Sequence, residues 1–192
     1  GEPDRLGDQV PRRFLEVLGA DQLPAEEKGS GRLQLADWIT RPEKPLAARV
    51  LVNRVWQWHF GRGIVSTPSD FGFRGARPTH PELLDWLTAE FIAANWSIKH
   101  LHRVMMRSRV YQLSSVNQSE SLQIDPENSL LSRYTRRALD AESMRDAMLA
   151  VSGNLDHSKP GPHPFPDVNT WGFTIHHPFH AVYQSNQRSV YL

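Results

Sequence analysis

Residues 52–63 read VNRVWQWHFGRG, two tryptophans, a phenylalanine and a histidine threaded with Asn53, Arg54, Gln57 and Arg62. Extended back to Pro45 and turned by roughly 100° per residue, the stretch gives a helix in which Ala47, Ala48, Leu51, Val52 and Val55 share a broad apolar face, with Trp58 beside it. Arg49, Asn53 and Gln57, spaced by four, form a polar stripe, and Leu46, Val50, Trp56 and Phe60 border that stripe with apolar atoms. A helix apolar on nearly every side is a buried helix. Its polar stripe must then find hydrogen-bond partners inside the protein or in a ligand, because an unpaired buried polar group is costly. Pro45 suits the first turn, and Gly61 and Gly63 supply the stop.

Working outward, residues 1–30 read as an irregular arm with a short helical turn at 14–18 that packs Phe14, Leu15 and Leu18 elsewhere. A short helix follows at 33–40, stopped near Pro42. Residues 61–80 form a glycine- and proline-rich loop. Thr79, Pro81 and Glu82 then make a helix start of the capping-box kind, and Leu83, Leu84, Leu87 and Phe91 carry that helix to about Asn95. Ser97 caps the next helix, with Ile98, Leu101, Val104 and Met105 inward. Residues 111–121 read as a polar connector, and Asp125-Pro126-Glu127 starts a short helix through Leu131. Asp140 opens the last clear helix, with Ala141, Met144, Met148 and Val151 inward and Gly153 as its stop. Beyond Asn154 the chain is irregular, with short strands expected near 172–175 and 181–190. The fold expected is mainly α: an irregular domain of about five helices, with long loop-rich arms and at most a minor strand pair. The organisation expected is an arm at 1–30, a helical core at 31–155 and a His-, Pro- and aromatic-rich tail at 156–192.

With 192 residues, 39% hydrophobic and 22% charged, the chain suits a globular domain with a real core. No apolar run approaches the roughly 20 residues of a membrane span. The absence of cysteine excludes disulfides, thiolate metal sites, cysteine nucleophiles and c-type haem attachment in this chain. A net charge of +1 argues against nucleic-acid binding, which usually leaves a clearly basic domain.

Four constellations are candidates for chemistry. Arg49, Asn53 and Gln57, with Arg54 beside them, can hold a carboxylate or a sugar hydroxyl; the competing reading is a buried seam satisfied by loop backbone. Glu142 and Asp146, at i and i+4, repel unless a cation or proton lies between them, so they can serve a metal or acid/base chemistry; the competing reading is pairing with Arg145, Arg136 or Arg137, or with Arg49 or Arg54. His176 and His180, with His177, His163 and His157, offer imidazoles to a metal, although Pro178 disfavours the helix that would align them. Lys99, Arg103 and Arg107, joined by Arg109, can follow phosphates or stand as an ordinary solvated face. Trp171 and Phe173, near Asn169, can stack on sugar rings or staple the tail. Asp70-Phe71-Gly72 has no accompanying kinase motifs, Gly61-Arg62-Gly63 opens no dinucleotide fingerprint, and no nucleophile elbow occurs.

ARVLVNRVWQWHFGRGIVSTPSDFG at 48–72, PTHPELLDWLTAEFIAANWSIKHLHRVMMRSRVYQLSS at 78–115 and DPENSLLSRYTRRALDAESMRDAMLAVSGNL at 125–155 together resemble the planctomycete domain of unknown function 1553. The blocks occur in that family's order and cover about residues 46–155, and residues 1–19 resemble the segment preceding the domain. The resemblance implies a late domain of a large secreted or periplasmic protein, following a cytochrome c-like domain. Haem would belong to that neighbour, and the hosts' use of polysaccharide suggests a polysaccharide partner. The family domain runs on past a segment like Gln187–Leu192, so this chain, which shows no signal peptide, reads as a fragment lacking the C-terminal part. The family carries no agreed activity, so no catalytic residue transfers. The function expected is a non-catalytic scaffold or binding domain, partnered by other domains of the same polypeptide and without a cofactor of its own. The alternative is a metal-dependent hydrolase or other enzyme using Glu142, Asp146 and the tail histidines; nucleic-acid binding is the weaker alternative.

Overall fold

The computed structural model describes residues 7, 10–19, 21–24, 26–116, 119–159 and 185–191. Along them run α1 (Arg32–Thr40), α2 (Leu46–Phe60), α3 (Pro81–Ala93), α4 (Ile98–Met106), α5 (Ser119–Ile124) and α6 (Ala141–Val151), with 3-10 turns at Glu16–Leu18 and Ser189–Tyr191. The protein is mainly α: among the described residues the β pairing consists of isolated bridges, Arg13 with Gln22 and Asp156 with Gln187. No helix among them is long and apolar enough to cross a membrane. The strand expected at 172–175 lies outside the described residues. The one expected at 181–190 is seen only from Ser185, as the Gln187 bridge followed by the 3-10 turn. The chain divides into two compact units, residues 1–136 and 137–192, and α6 stands in the second.

In the first unit α2, α3 and α4 pack against one another and α1 rests on α2. Their core holds Ala48, Val52, Val55, Trp56 and Phe60 from α2, Ile64 and Val65 from the following loop, Leu84, Leu87 and Phe91 from α3, and Leu101 and Met105 from α4. The buried side of α2 centres on Val52 and Trp56, which draws Asn53 and Phe60 inside and leaves Trp58, expected beside the apolar face, 61% exposed. The Trp56 and Phe60 rings lie 4.1 Å apart, an aromatic pair inside the core.

Helix α3 starts differently from the capping box expected. His80 is its N-cap residue and no side chain caps it, because the amide and hydroxyl of Thr79 both donate to the carbonyl of Ile64. Between α3 and α4, Asn95 and Trp96 take left-handed backbone (φ 51° and 58°), and the Trp96 ring packs 5.2 Å from Phe91. The Ser97 hydroxyl accepts the amide of His100, so the cap expected there is made. Ile98, expected inward, sits in the first turn and is 44% exposed, while Leu101 and Met105 are buried.

The helix expected from Asp125 to Leu131 is absent. Helix α5 precedes it, and the Asp125 carboxylate instead accepts the amides of Ser129 (2.8 Å) and Leu130 (2.6 Å), folding a turn in which Asn128 and Leu131 have positive φ.

In the second unit Asp140 caps α6, its carboxylate accepting the Ser143 amide at 2.7 Å, and Gly153 leaves the helix with φ 74°. The apolar face expected inward is exposed: no residue of α6 is buried, and Met148 is 62% and Val151 91% exposed. The physical reason lies in the helix's described partner. The Ser189–Tyr191 turn meets α6 on its polar side, at Glu142, Arg145 and Asp146.

Candidate functional site

The polar stripe of α2 does not converge on one point. Asn53, fully buried, donates its amide to the Val65 carbonyl (3.0 Å) and accepts the Val65 amide (2.8 Å), so one side chain satisfies both backbone groups of a core loop residue. Gly63 makes this approach feasible: a Cβ there would lie 2.5 Å from the Val65 carbonyl oxygen and 2.7 Å from the Asn53 Nδ2. Arg49 pairs with Asp85 of α3, and exposed Arg54 reaches the hydroxyl of Ser69 at 3.4 Å. Gln57 is half-buried, and its backbone carbonyl accepts the Gly61 amide at the end of the helix. Trp171 lies outside the described residues.

Glu142 and Asp146 share a face of α6, and their surroundings are hydroxyl and guanidinium. Asp146 accepts the Ser189 hydroxyl (2.7 Å) and amide (2.9 Å), and Arg145 stands 3.4 Å away. Those two Ser189 bonds, the hydroxyl first, hold the Asp146 carboxyl below the ordinary carboxylate range against the opposing effect of desolvation. Glu142 is exposed, and its backbone carbonyl accepts the Ser189 hydroxyl at 3.4 Å. Arg145 also donates to the Gln187 carbonyl at 2.9 Å and to the Ser185 carbonyl, which ties the chain end to the helix. His176 and His180 lie outside the described residues, and His157 is exposed. No group of three or more His, Asp or Glu among the described residues is placed to hold a metal ion. Lys99, Arg103, Arg107 and Arg109 are all exposed.

Two features of the first unit escape the sequence reading. One is a cavity of about 680 Å³ lined by Phe14, Leu15, Leu18, Leu35, Trp38 and Ile39, with Arg49 on its rim. Phe14 stacks on Trp38 at 4.8 Å, and the Lys44 ammonium lies 4.9 Å from the centre of the Trp38 ring on a cation–π contact. Trp38 donates its indole N–H to Asp21 at 2.9 Å, and Asp21 also receives Arg41 and Lys44. The arm at 13–21 is thus fastened to α1 by a ring stack and a shared carboxylate. Phe14 was legible as an anchor, but no local spacing links it to Trp38. The other feature is a pair of histidines, His59 of α2 and His102 of α4, whose Nε2 and Nδ1 atoms lie 2.7 Å apart. They stand 43 residues apart in sequence, so no motif announces them.

The fold and these sites define a small mainly α domain. It belongs to the family described as PSD1, a protein of unknown function (DUF1553), whose model matches residues 31–192. No curated protein and no solved structure matches the chain. The matched region begins after the arm, so Phe14 and Asp21 lie N-terminal to it while Trp38, Arg41 and Lys44 lie within it.

Proposed function

We propose that this chain is a non-catalytic scaffold or binding domain that docks an apolar segment from a neighbouring domain of the same polypeptide. The observation that carries the reading is the cavity over Trp38. Its lining combines Phe14, Leu15 and Leu18 of the arm with Leu35, Trp38 and Ile39 of the family region. Leu15, Leu35, Ile39 and Leu46 are all exposed around it, and covering such side chains is worth roughly 25 cal/mol per Å² of apolar surface removed from water. The three cations that line it are already engaged, Arg13 with Glu16, Lys44 with Asp21 and Arg49 with Asp85, which favours an apolar occupant over an anion.

The wider setting proposed is a secreted or periplasmic multidomain protein in which this domain follows a cytochrome c-like redox domain, with a role in polysaccharide use. The resemblance to the planctomycete domain supports it. The test is to express the domain joined to its preceding domain through a protease-cleavable linker and to measure retention after cleavage. Leu35→Glu with Ile39→Glu is expected to weaken association at least about tenfold, since two charges would have to be desolvated on docking. Equal retention by parent and variant would refute the reading.

A further inference from the structure

The geometry points to a second site: we propose that His59 and His102 form a two-imidazole chelate for a divalent transition-metal ion, with copper(II) or nickel(II) as the best fit. The donors come from two different helices of the core. His59 follows Trp56 on α2, ahead of Phe60, and His102 follows Leu101 on α4; Trp56, Phe60 and Leu101 are buried, so the helices holding the rings are packed in place. Both rings are half-buried, their centroids lie 4.9 Å apart, and they meet edge to face at 72°. Tyr111 closes edge-on against His59 at 5.6 Å, and the Tyr134 hydroxyl donates to the His59 carbonyl at 3.0 Å, which fixes the backbone that carries the ring.

At 2.7 Å the two nitrogens share one proton: one ring donates N–H and the other offers its lone pair. Moving that proton to the donor ring's other nitrogen, a change of tautomer, leaves a lone pair on each of the two facing nitrogens. Metal–imidazole bonds are about 2.0–2.1 Å, so a right-angled N–metal–N arrangement needs nitrogens about 2.9 Å apart and a tetrahedral one about 3.3 Å. The right-angled case asks the nitrogens to part by about 0.2 Å and each ring to swing until its lone pair points about 45° off the line joining them. Square-planar or tetragonal nitrogen sites are those of copper(II) and nickel(II), hence the preference over zinc. Among the described residues no third His, Asp or Glu joins the pair.

The test uses the full chain, freed of metal and titrated with copper(II) under calorimetry and electron paramagnetic resonance. One equivalent with hyperfine coupling from two imidazole nitrogens is expected. His59→Gln and His102→Gln should each lower its affinity by about a hundredfold, as expected when the second ligand no longer acts at high effective concentration. His100→Gln is the control, since His100 lies on the same helix but 3.6 Å from the Glu90 carboxylate, away from the pair. Far-ultraviolet circular dichroism confirms that each variant folds. Binding left unchanged by both variants would place the copper on other histidines and overturn the proposal, as would the absence of any bound equivalent.

Discussion

Helices α2 and α6 both carry apolar residues at helical spacing, and they end in opposite situations. Helix α2 buries six residues, Asn53 among them, whereas α6 buries none. The difference lies in their partners rather than in their periods. Helix α2 meets α3, α4 and the Ile64–Val65 loop on the side that carries Val52 and Trp56. Helix α6 is met on its polar side by the Ser189 turn, and its methionines are left outside. A period near 3.6 therefore establishes that a helix forms; which face is covered depends on residues that arrive from elsewhere in the chain.

That contrast can be broken at three points. The largest effect is expected from Asn53→Ala, which strands the amide and carbonyl of Val65 in the core. At about 1–3 kcal/mol for each of the two unsatisfied groups the loss is roughly 2–6 kcal/mol, read as a fall of several degrees or more in melting temperature. A melting temperature equal to the parent's would mean that the seam is not holding the loop.

A smaller effect is expected from Ser189→Ala, which removes the hydroxyl chiefly responsible for lowering the Asp146 carboxyl. A carboxylate favoured in the folded state contributes stability above the ordinary carboxylate range, and that stability is lost as pH falls through the lowered value. Urea unfolding should thus separate variant from parent at neutral pH, and the separation should close in acid. A gap that persists undiminished in acid would show that Ser189 acts through packing instead. The smallest change belongs to Met148→Ser, expected to stay within about 0.5 kcal/mol because the side chain is exposed. A destabilisation several times larger in chemical denaturation would reveal a covered face and dissolve the contrast.

Much of the helical skeleton was legible in the sequence because its signals are local. Ser97 and Asp140 act as caps within three residues of their partners, Gly153 ends α6, and the Pro45–Gly61 segment forms one helix that sends six residues into the core. At Thr79 a distant group outbids a local one, since its hydroxyl turns to Ile64 instead of capping its own helix. At Asp125 two local outcomes compete, and the carboxylate gathers the amides of a turn instead of starting a helix. Asn53 was legible as a buried polar group, but Val65 as its partner was not. The cavity depends on Phe14 meeting Trp38, and the imidazole pair on His59 meeting His102. Neither meeting leaves any trace in the spacing of residues along the chain.

The Asn53–Val65 pairing gives the glycine-rich loop an unusual place in the molecule's opening motions. Loop amides ordinarily exchange with solvent deuterium through small local fluctuations. The Val65 amide is buried and bonded to a side chain that is itself anchored in the middle of α2, so its release requires that helix to leave the core. Val65 should consequently exchange on the timescale of the slowest core amides while its exposed neighbour Ser66 exchanges early. A single loop position then reports, residue by residue, on the cooperative opening of the whole first unit.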